Sequence, residues 1–244
     1  MGDRMPTNAL LRKLTVFTDL SSEEVELLNE ATSDVRATAA KQDIISDGAR
    51  PDHLHLIVQG WAARYKNLSN GSRQIIAFLI PGDFCDLHGK VLGAMDHSIV
   101  ALTPCKVAWV ASDRFDQLTA EHAGLTRALW WGTLLDEAIL RNWIVNNSRR
   151  DAFQRIAHLL CELHARVQMI GLADNDRLDL PVTQYELADA TGLTSVHVNR
   201  TIQRLRGEDL IELSARVLTI KDIDGLKRAG GFDGNYLHIK RRVR

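Results

Sequence analysis

The spacing of hydrophobic residues changes three times along the chain, and each change predicts a different kind of structure. Near the N-terminus, Ser21 or Ser22 precedes two glutamates and an apolar run, so a short serine-capped helix is expected within 16–28. Apolar and polar residues then alternate in short runs, a period of two that is typical of strands. The runs are His53–Val58, Trp61–Lys66, Gln74–Ile80, Ile99–Leu102 and Val107–Val110. Turn residues such as Asn70-Gly71 separate them, which favours an antiparallel sandwich or roll.

A helical period begins near residue 125. Residues recur there at alternating steps of three and four, at Leu125, Ala128, Gly132, Leu135, Ile139, Asn142 and Asn146. This heptad-like stripe is typical of helices that pair. Because Trp130, Trp131 and Trp143 lie on other faces, we expect the helix to pack both on the roll and on a second subunit. The alternative is a core helix buried within a monomer.

The third change follows the polar cluster at 148–151, where helical spacing resumes and leads to two short helices joined by a tight turn. Thr183 is a candidate cap for the first short helix. Gly192 permits a left-handed exit from that helix, and Thr194 is a candidate cap for the second. Two helices joined in this way form the helix-turn-helix layout.

The second short helix has one apolar and one polar face. Val198, Ile202 and Leu205 recur by steps of four and three, so they are expected to be buried. The opposite face carries Ser195, Val196, Asn199, Arg200 and Gln203. Such a helix fits the major groove of B-DNA, where arginine pairs with guanine and asparagine with adenine. The pattern therefore predicts binding to double-stranded DNA, and a solvated helical hairpin is the alternative.

Composition and charge sharpen this interpretation. The chain as a whole has a formal net charge of -1, which excludes a uniformly basic coat protein and an acidic disordered tail. From Ser195 onward, however, 11 Lys and Arg face 6 Asp and Glu, a balance of +5. A basic end of this kind is typical of a surface that contacts phosphates. Strands at Leu210–Ser214 and Arg216–Ile220, with a turn at Ser214-Ala215, are expected to form a wing beside the helix pair.

Other classes of protein find little support. Cys85, Cys105 and Cys161 are too few for a disulfide framework and form no CxxC pair. No signal peptide and no apolar stretch of about 18 residues is present, so we expect a cytoplasmic protein without a membrane partner. No catalytic motif is evident, so no enzymatic activity is expected.

We expect His53 and His55 to be solvated and the group His158, Cys161 and His164 to be packing residues.

The order of these parts resembles the Crp/Fnr family of bacterial transcription regulators over about Leu14 to Lys227. The most specific stretch runs from Glu186-Leu187-Ala188 through Gly192-Leu193-Thr194 to Val198-Asn199-Arg200-Thr201. The resemblance implies an α+β fold in four parts. These are a cyclic-nucleotide-binding-like β-roll sensor domain at 1–122, a dimerisation helix and hinge at 123–148, a winged helix-turn-helix at 149–230 and a basic tail at 231–244. It also implies a homodimer on a near-palindromic site, and contact with RNA polymerase if the protein is an activator.

The resemblance further implies roles for individual residues. Base-reading positions are Ser195, Val196, Asn199 and Arg200, with Arg200 in the place of a guanine-reading arginine. Phosphate-contacting positions are Thr183, Gln184, Thr194, His197, Gln203 and Arg216. Val196 departs from the glutamate that many members have there. A valine can pack on a thymine methyl group but cannot accept a hydrogen bond from cytosine, so the base preference at this position is open.

Candidate effector-pocket residues are Asp86, His88, His97 and Ser98. Cyclic-nucleotide binders of the family hold the phosphate with an Arg-Ser pair, where this chain has His97-Ser98. Without a permanent cation, cyclic AMP is disfavoured as the effector. An iron-sulfur cluster is disfavoured because the first cysteine is Cys85. Cys85 and His88 leave haem open, and one alternative function is a haem or small-molecule sensor whose helix-turn-helix contacts protein.

Overall fold

The computed structural model describes residues 8–239, apart from the side chains of residues 88–90. The helices are α1 (Ala9–Thr15), α2 (Ser22–Ala31), α3 (Leu87–Leu92), α4 (Ser112–Glu121), α5 (Ala123–Arg149), α6 (Ala152–Met169), α7 (Gln184–Thr191), α8 (Ser195–Gly207), α9 (Ile223–Gly230) and a 3-10 helix (Gly234–Leu237). The strands are β1 (Val35–Thr38), β2 (Asp43–Ile45), β3 (His53–Gln59), β4 (Ala62–Asn67), β5 (Arg73–Leu79), β6 (Ser98–Ala101), β7 (Cys105–Ala111), β8 (Arg177–Asp179), β9 (Ile211–Ser214) and β10 (Val217–Ile220).

The described chain divides into two compact units. The first contains residues up to Lys66 together with Ala77–Asp136, and the second contains Asn67–Ile76 and Glu137–Ile239. Strands β1 to β7 form two antiparallel sheets with the strand orders β1-β7-β3 and β2-β6-β4-β5. The predicted antiparallel roll is therefore confirmed. The five predicted strands begin and end within two residues of those observed.

Apolar side chains fill two clusters in the first unit. One joins α1, α2, α4 and α5 to strands β3 and β7, and the other lies between the sheets around Ile57, Leu79 and Ile99. Four consecutive residues of β3, from Leu54 to Ile57, are buried, so this strand has neighbours on both faces. The prediction that His55 is solvated is wrong for this reason: its side chain is 3% exposed.

The residues of α5 that were predicted to pair with a second subunit are not the exposed ones. Most of them are buried within the chain itself, at Leu125, Ala128, Leu135, Ile139 and Asn146. The exposed face instead repeats at steps of three and four through Arg127, Trp130, Leu134, Glu137, Arg141, Ile144 and Ser148. We call these seven residues the pairing stripe. When apolar residues lie on nearly every face of a helix, the sequence predicts the helical spacing but not which face is exposed. Several faces could pack equally well against the core of the protein.

The second unit packs α6, α7, α8 and α9 around a small antiparallel sheet of order β8-β10-β9. A buried carboxylate joins three of its parts. Glu162 on α6 is fully buried and accepts hydrogen bonds from Trp143 Nε1 on α5 at 3.0 Å and from the Tyr236 hydroxyl at 2.8 Å. Burial raises the pKa of Glu162, while the charge of nearby Arg166 opposes that shift. Within residues 8–239, no helix is long and apolar enough to cross a bilayer.

Candidate nucleic-acid interface

Local capping defines both ends of α7. The Thr183 hydroxyl accepts a hydrogen bond from Glu186 N, and the Glu186 carboxylate accepts one from Thr183 N, which forms a capping box. Gly192 ends the helix in the left-handed conformation at φ 65°, and its N–H donates to the carbonyl of Ala188. Thr194 then caps α8 by accepting from His197 N at 3.2 Å. The sequence therefore stops and restarts the helix within three residues.

Side chains from outside the helix pair hold the turn in place, and Asn147 and Arg155 make the shortest of these hydrogen bonds. Asn147 Nδ2 donates to the carbonyl oxygen of Ala190 at 3.0 Å, and Arg155 Nη1 donates to that of Thr191 at 2.6 Å. These carbonyls lie in the last turn of α7, where no intrahelical donor is available. Asn147 and Arg155 were not among the predicted site residues, because their partners are distant in sequence.

One face of α8 is buried and the opposite face is exposed. Val198, Ile202 and Leu205 are at most 3% exposed, as predicted, and Thr201 joins them. Among the base-reading candidates, Val196, Asn199 and Arg200 are exposed and Ser195 is half-buried. The structure thus places all four on the first two turns of one helix face.

The exposed polar groups of α8 differ in what they already bind. Asn199 Nδ2 donates to Gln184 Oε1 on α7 at 3.2 Å, which brings these two candidates together. Arg204 forms an ion pair with Glu208 at 2.8 Å and lies over the ring of Phe153. For Arg200, no hydrogen bond or ion pair is found with any residue that the structure describes. Its guanidinium is therefore available to an external acceptor.

The phosphate-contact candidates lie on both sides of this face. Thr183, Thr194 and His197 are exposed at the starts of α7 and α8, and Gln184 is half-buried. The Thr183 hydroxyl accepts from Glu186 N and donates to Glu186 Oε2 at 2.9 Å, so a phosphate contact would replace that donation. The Thr194 hydroxyl accepts from His197 N and would contact a phosphate by donating its hydrogen. Gln203 is exposed on the next turn of α8 and accepts a weak hydrogen bond from Arg206 at 3.4 Å.

The wing presents Arg216 at its tip. Strands β9 and β10 pair in register, and the turn between them is at Ala215-Arg216, one residue later than predicted. Both turn residues have positive φ, 48° and 64°, as a type I′ hairpin requires. The Arg216 side chain is exposed at the end of the hairpin, on a different element from the other candidates.

The effector-pocket candidates are bound to different partners. Asp86 is fully buried and accepts from both the backbone N–H and the ring Nδ1 of His55, at 2.8 and 2.7 Å. Ser98 accepts from Asp47 N at 2.9 Å, and His97 Nδ1 lies 2.6 Å from Asp96. Burial lowers the pKa of His97, so it is a weak substitute for a permanent cation. The His88 side chain lies outside the described residues.

The three cysteines are all buried. Burial raises the pKa of Cys85 and Cys105, and raises that of Cys161 to about 12. Cys85 is fully buried in the apolar cluster of the roll, which does not fit axial ligation of haem by a thiolate. In the part of the chain that the structure describes, no group of three metal-binding side chains is found. His158, Cys161 and His164 are buried on α6, as expected of packing residues.

Sequence reasoning missed Arg64, the one cation buried within the strands of the roll among the described residues. It lies on β4 between apolar neighbours, which gave no signal of its burial. Its guanidinium donates to the carbonyl oxygens of Phe84 and Cys85 and to Asp136 on α5.

Each of the two units contains a segment that matches the model of a known protein family. Residues 35–122 match the model of a cyclic nucleotide-binding domain, and residues 154–229 match that of a Crp-like helix-turn-helix domain. The transcriptional activator protein FnrL of Cereibacter sphaeroides is 27% identical over 229 residues, which cover 92% of this chain and 91% of FnrL. The transcriptional activatory protein AadR of Rhodopseudomonas palustris is 28% identical over 93% of this chain and 95% of AadR.

Solved structures show the same fold. FixK2 from Bradyrhizobium japonicum superposes with a TM-score of 0.74 at 22% identity, over 82% of this chain and 98% of FixK2. A CooA variant from Carboxydothermus hydrogenoformans gives a TM-score of 0.65 at 20% identity, over 92% of this chain and 97% of CooA. The β-roll, long helix and helix-turn-helix therefore recur in one order in all three chains.

Proposed function

Because the chain belongs to the Crp/Fnr family of transcription regulators, we propose that it binds a near-palindromic DNA site as a homodimer. The two copies of α8 would enter successive major grooves about 34 Å apart. The observation that carries the proposal is the outward face of α8, where Arg200 and Val196 are exposed and Arg200 is free of partners among the described residues. The predicted four-part division of the chain belongs to the same proposal.

Pairing through α5 supplies the two-fold symmetry. Trp130, Leu134 and Ile144 of the pairing stripe are 73%, 55% and 69% exposed, which is unusual for side chains of this size. Between them, Glu137 and Arg141 form an ion pair at 2.9 Å. Apolar residues at heptad spacing with charged residues among them are typical of a helix that pairs with a copy of itself.

Each base-reading residue has a proposed role. Arg200 would donate to O6 and N7 of guanine, and Asn199, already oriented by Gln184, would face the neighbouring base. Val196 is 58% exposed and would pack on a thymine methyl group. Thr183, Gln184, Thr194, His197, Gln203 and Arg216 would contact phosphates. FnrL and AadR are named as transcriptional activators, so we propose activation, which requires contact with RNA polymerase.

Selection of bound duplexes from a randomised pool by the full-length protein tests this function. We expect inverted half-sites whose centres are about 10 base pairs apart, with a guanine and a thymine at adjacent or nearby positions. The Val196→Glu variant should change the preferred base at one position per half-site from thymine to cytosine. Enrichment of no sequence, or of a lone half-site, would contradict the proposal.

A further inference from the structure

The roll buries a charged side chain that the proposed DNA contacts do not use. Arg64 is 7% exposed, with Nη2 donating to the carbonyl oxygen of Phe84 at 2.9 Å and Nε donating to that of Cys85 at 3.3 Å. Two neutral carbonyl groups do not neutralise a guanidinium, which remains charged at any physiological pH. A buried cation of this kind requires an anion nearby.

The long helix supplies that anion. Arg64 Nη2 and Asp136 Oδ2 are 3.1 Å apart, and Asp136 is the fourteenth of the 27 residues of α5. The Arg64 side chain is 9% exposed and the Asp136 side chain 25%, so the pair lies at the boundary between the roll interior and solvent. It therefore attaches strand β4 to the middle of the helix.

A small cavity lies beside the Asp136 end of the pair. A cavity of about 20 Å³ beside Asp136 is lined by Lys13, Gly82, Phe84 and Gly132, among others. That volume holds about one water molecule. In this part of the roll, the carboxylate that meets the buried cation belongs to the chain itself.

Asp136 is not one of the seven residues of the pairing stripe, but it lies beside the middle of the stripe in sequence. Leu134 precedes it by two residues and Glu137 follows it, and both side chains are exposed. Successive residues of a helix are about 100° apart around its axis. An anchor at Asp136 therefore fixes which residues of α5 face away from the roll.

We propose that Asp136 is a built-in anion for Arg64 and that this ion pair fixes the rotation of α5, so that the pairing stripe faces a second copy. Arg64 and Asp136 are positioning residues, since neither lies on the pairing stripe or on α8. This inference rests on the proposed dimeric function. In this proposal the roll controls pairing through the contact between its Arg64 and the Asp136 carboxylate of α5.

Chemical rescue tests the proposal. The dimer dissociation constant of full-length Asp136→Ala is measured by sedimentation in sodium formate and in sodium chloride of equal ionic strength. We expect the substitution to raise that constant about tenfold in chloride, and formate to reverse most of the change by entering the vacated space beside Arg64. Asp113→Ala, which removes an exposed carboxylate from α4, should match the wild type in both salts.

Further variants separate the possible outcomes. If Asp136→Ala does not fold, Asp136→Asn retains an acceptor oxygen without the charge and should show the same weakened pairing. A dimeric wild type with an equally dimeric Asp136→Asn would overturn this inference alone, as would a formate effect of equal size in Asp113→Ala. A wild type that is monomeric throughout would contradict the proposed function itself.

Discussion

The segment Gly82–Asp86 of the roll and the outward face of α8 both carry polar groups. Those of the roll segment are bonded within the protein, whereas those of α8 are exposed to water. In the roll, Asp83 pairs with Lys13 at 2.6 Å and Asp86 is bound twice by His55. The carbonyl groups between these two aspartates accept from Arg64. Polar groups removed from water must be bonded within the protein, and here the chain supplies every one of these partners itself.

On α8 the polar groups remain in water instead. Asn199, Arg200 and Gln203 are exposed, and their only described side-chain partners are Gln184 for Asn199 and Arg206 for Gln203. A hydrated group can exchange water for an external ligand at small cost, whereas a buried bonded group cannot. Under the proposed function, recognition of an external ligand therefore belongs to α8, while similar polar groups in this segment of the roll stabilise the fold.

The substitution Asp86→Ala tests the claim that buried polar groups stabilise the roll, and the largest effect is expected there. The substitution leaves two buried donors of His55 without their acceptor, so we expect the free energy of unfolding to fall by about 3 kcal/mol. Asp52→Ala is a matched control, since Asp52 also accepts from a histidine ring at 2.7 Å but its side chain is 88% exposed. Urea unfolding followed by tryptophan fluorescence measures both. Equal losses in the two variants would remove burial as the explanation.

A second test concerns the apolar surface left exposed on α5. Leu134→Glu places a charge in the pairing stripe, and we expect affinity for a palindromic duplex to fall about a hundredfold as bivalent binding is lost. Leu172→Glu is the control, because Leu172 is 52% exposed against 55% for Leu134. Light scattering and fluorescence anisotropy give the mass and the affinity. A Leu134→Glu protein that stays dimeric would place the interface elsewhere.

His158 is a buried polar residue of the second unit, and the pH dependence of the free energy of unfolding tests its burial. Burial lowers the pKa of His158 to about 4, and the charge of Arg150 adds to this shift. The unfolded state therefore binds a proton more readily, so the wild type loses stability as pH falls from about 6.5 toward 4. His158→Gln lacks this titration.

We expect the stability of His158→Gln relative to the wild type to improve by about 2 kcal/mol between pH 7 and pH 4.5. Unfolding curves of both proteins at each pH measure this difference, which cancels the titration of groups they share. A difference that is constant with pH would show that His158 is not desolvated in the native state.

The smallest expected effect is at the wing. Arg216→Ala should weaken binding to selected and scrambled duplexes alike, because a phosphate contact carries no sequence information. The slope of log K against log salt should become shallower by about 1.8, because a homodimer loses one phosphate contact from each subunit. Titrations at four salt concentrations measure the slope. A loss confined to the selected duplex would move Arg216 from the phosphate contacts to the base contacts.

Sequence alone predicted the elements whose apolar residues recur regularly, although burial in β3 and β6 is continuous and does not alternate. Strands β3 to β7 and the buried face of α8 were found because apolar residues recur there with a single period. Strands β1 and β2 were missed, since β1 has almost no buried residue and β2 has only three residues in all. In α5 the residues predicted to pair lie mostly in the core and a different face is exposed, because apolar residues surround that helix.

The buried charges were harder to predict. Arg64 and Glu162 look like surface residues in the sequence, and only their partners on other elements, Asp136, Trp143 and Tyr236, explain their burial. The exposed candidates of α8 could be predicted because the helix period alone places them opposite a buried face. Long-range polar contacts have no such local signature.

Discrimination between two duplexes by Arg200→Ala tests the central claim most directly. The affinities of the wild type and the variant are measured for the selected duplex and for a scrambled one at a single salt concentration. We predict that the variant loses about 1 to 3 kcal/mol on the selected duplex and much less on the scrambled one, with an unchanged melting temperature. Arg206→Ala, the same change six residues further along α8, should keep the ratio of the two affinities. An unchanged ratio in Arg200→Ala would contradict the assignment of α8 as the recognition surface.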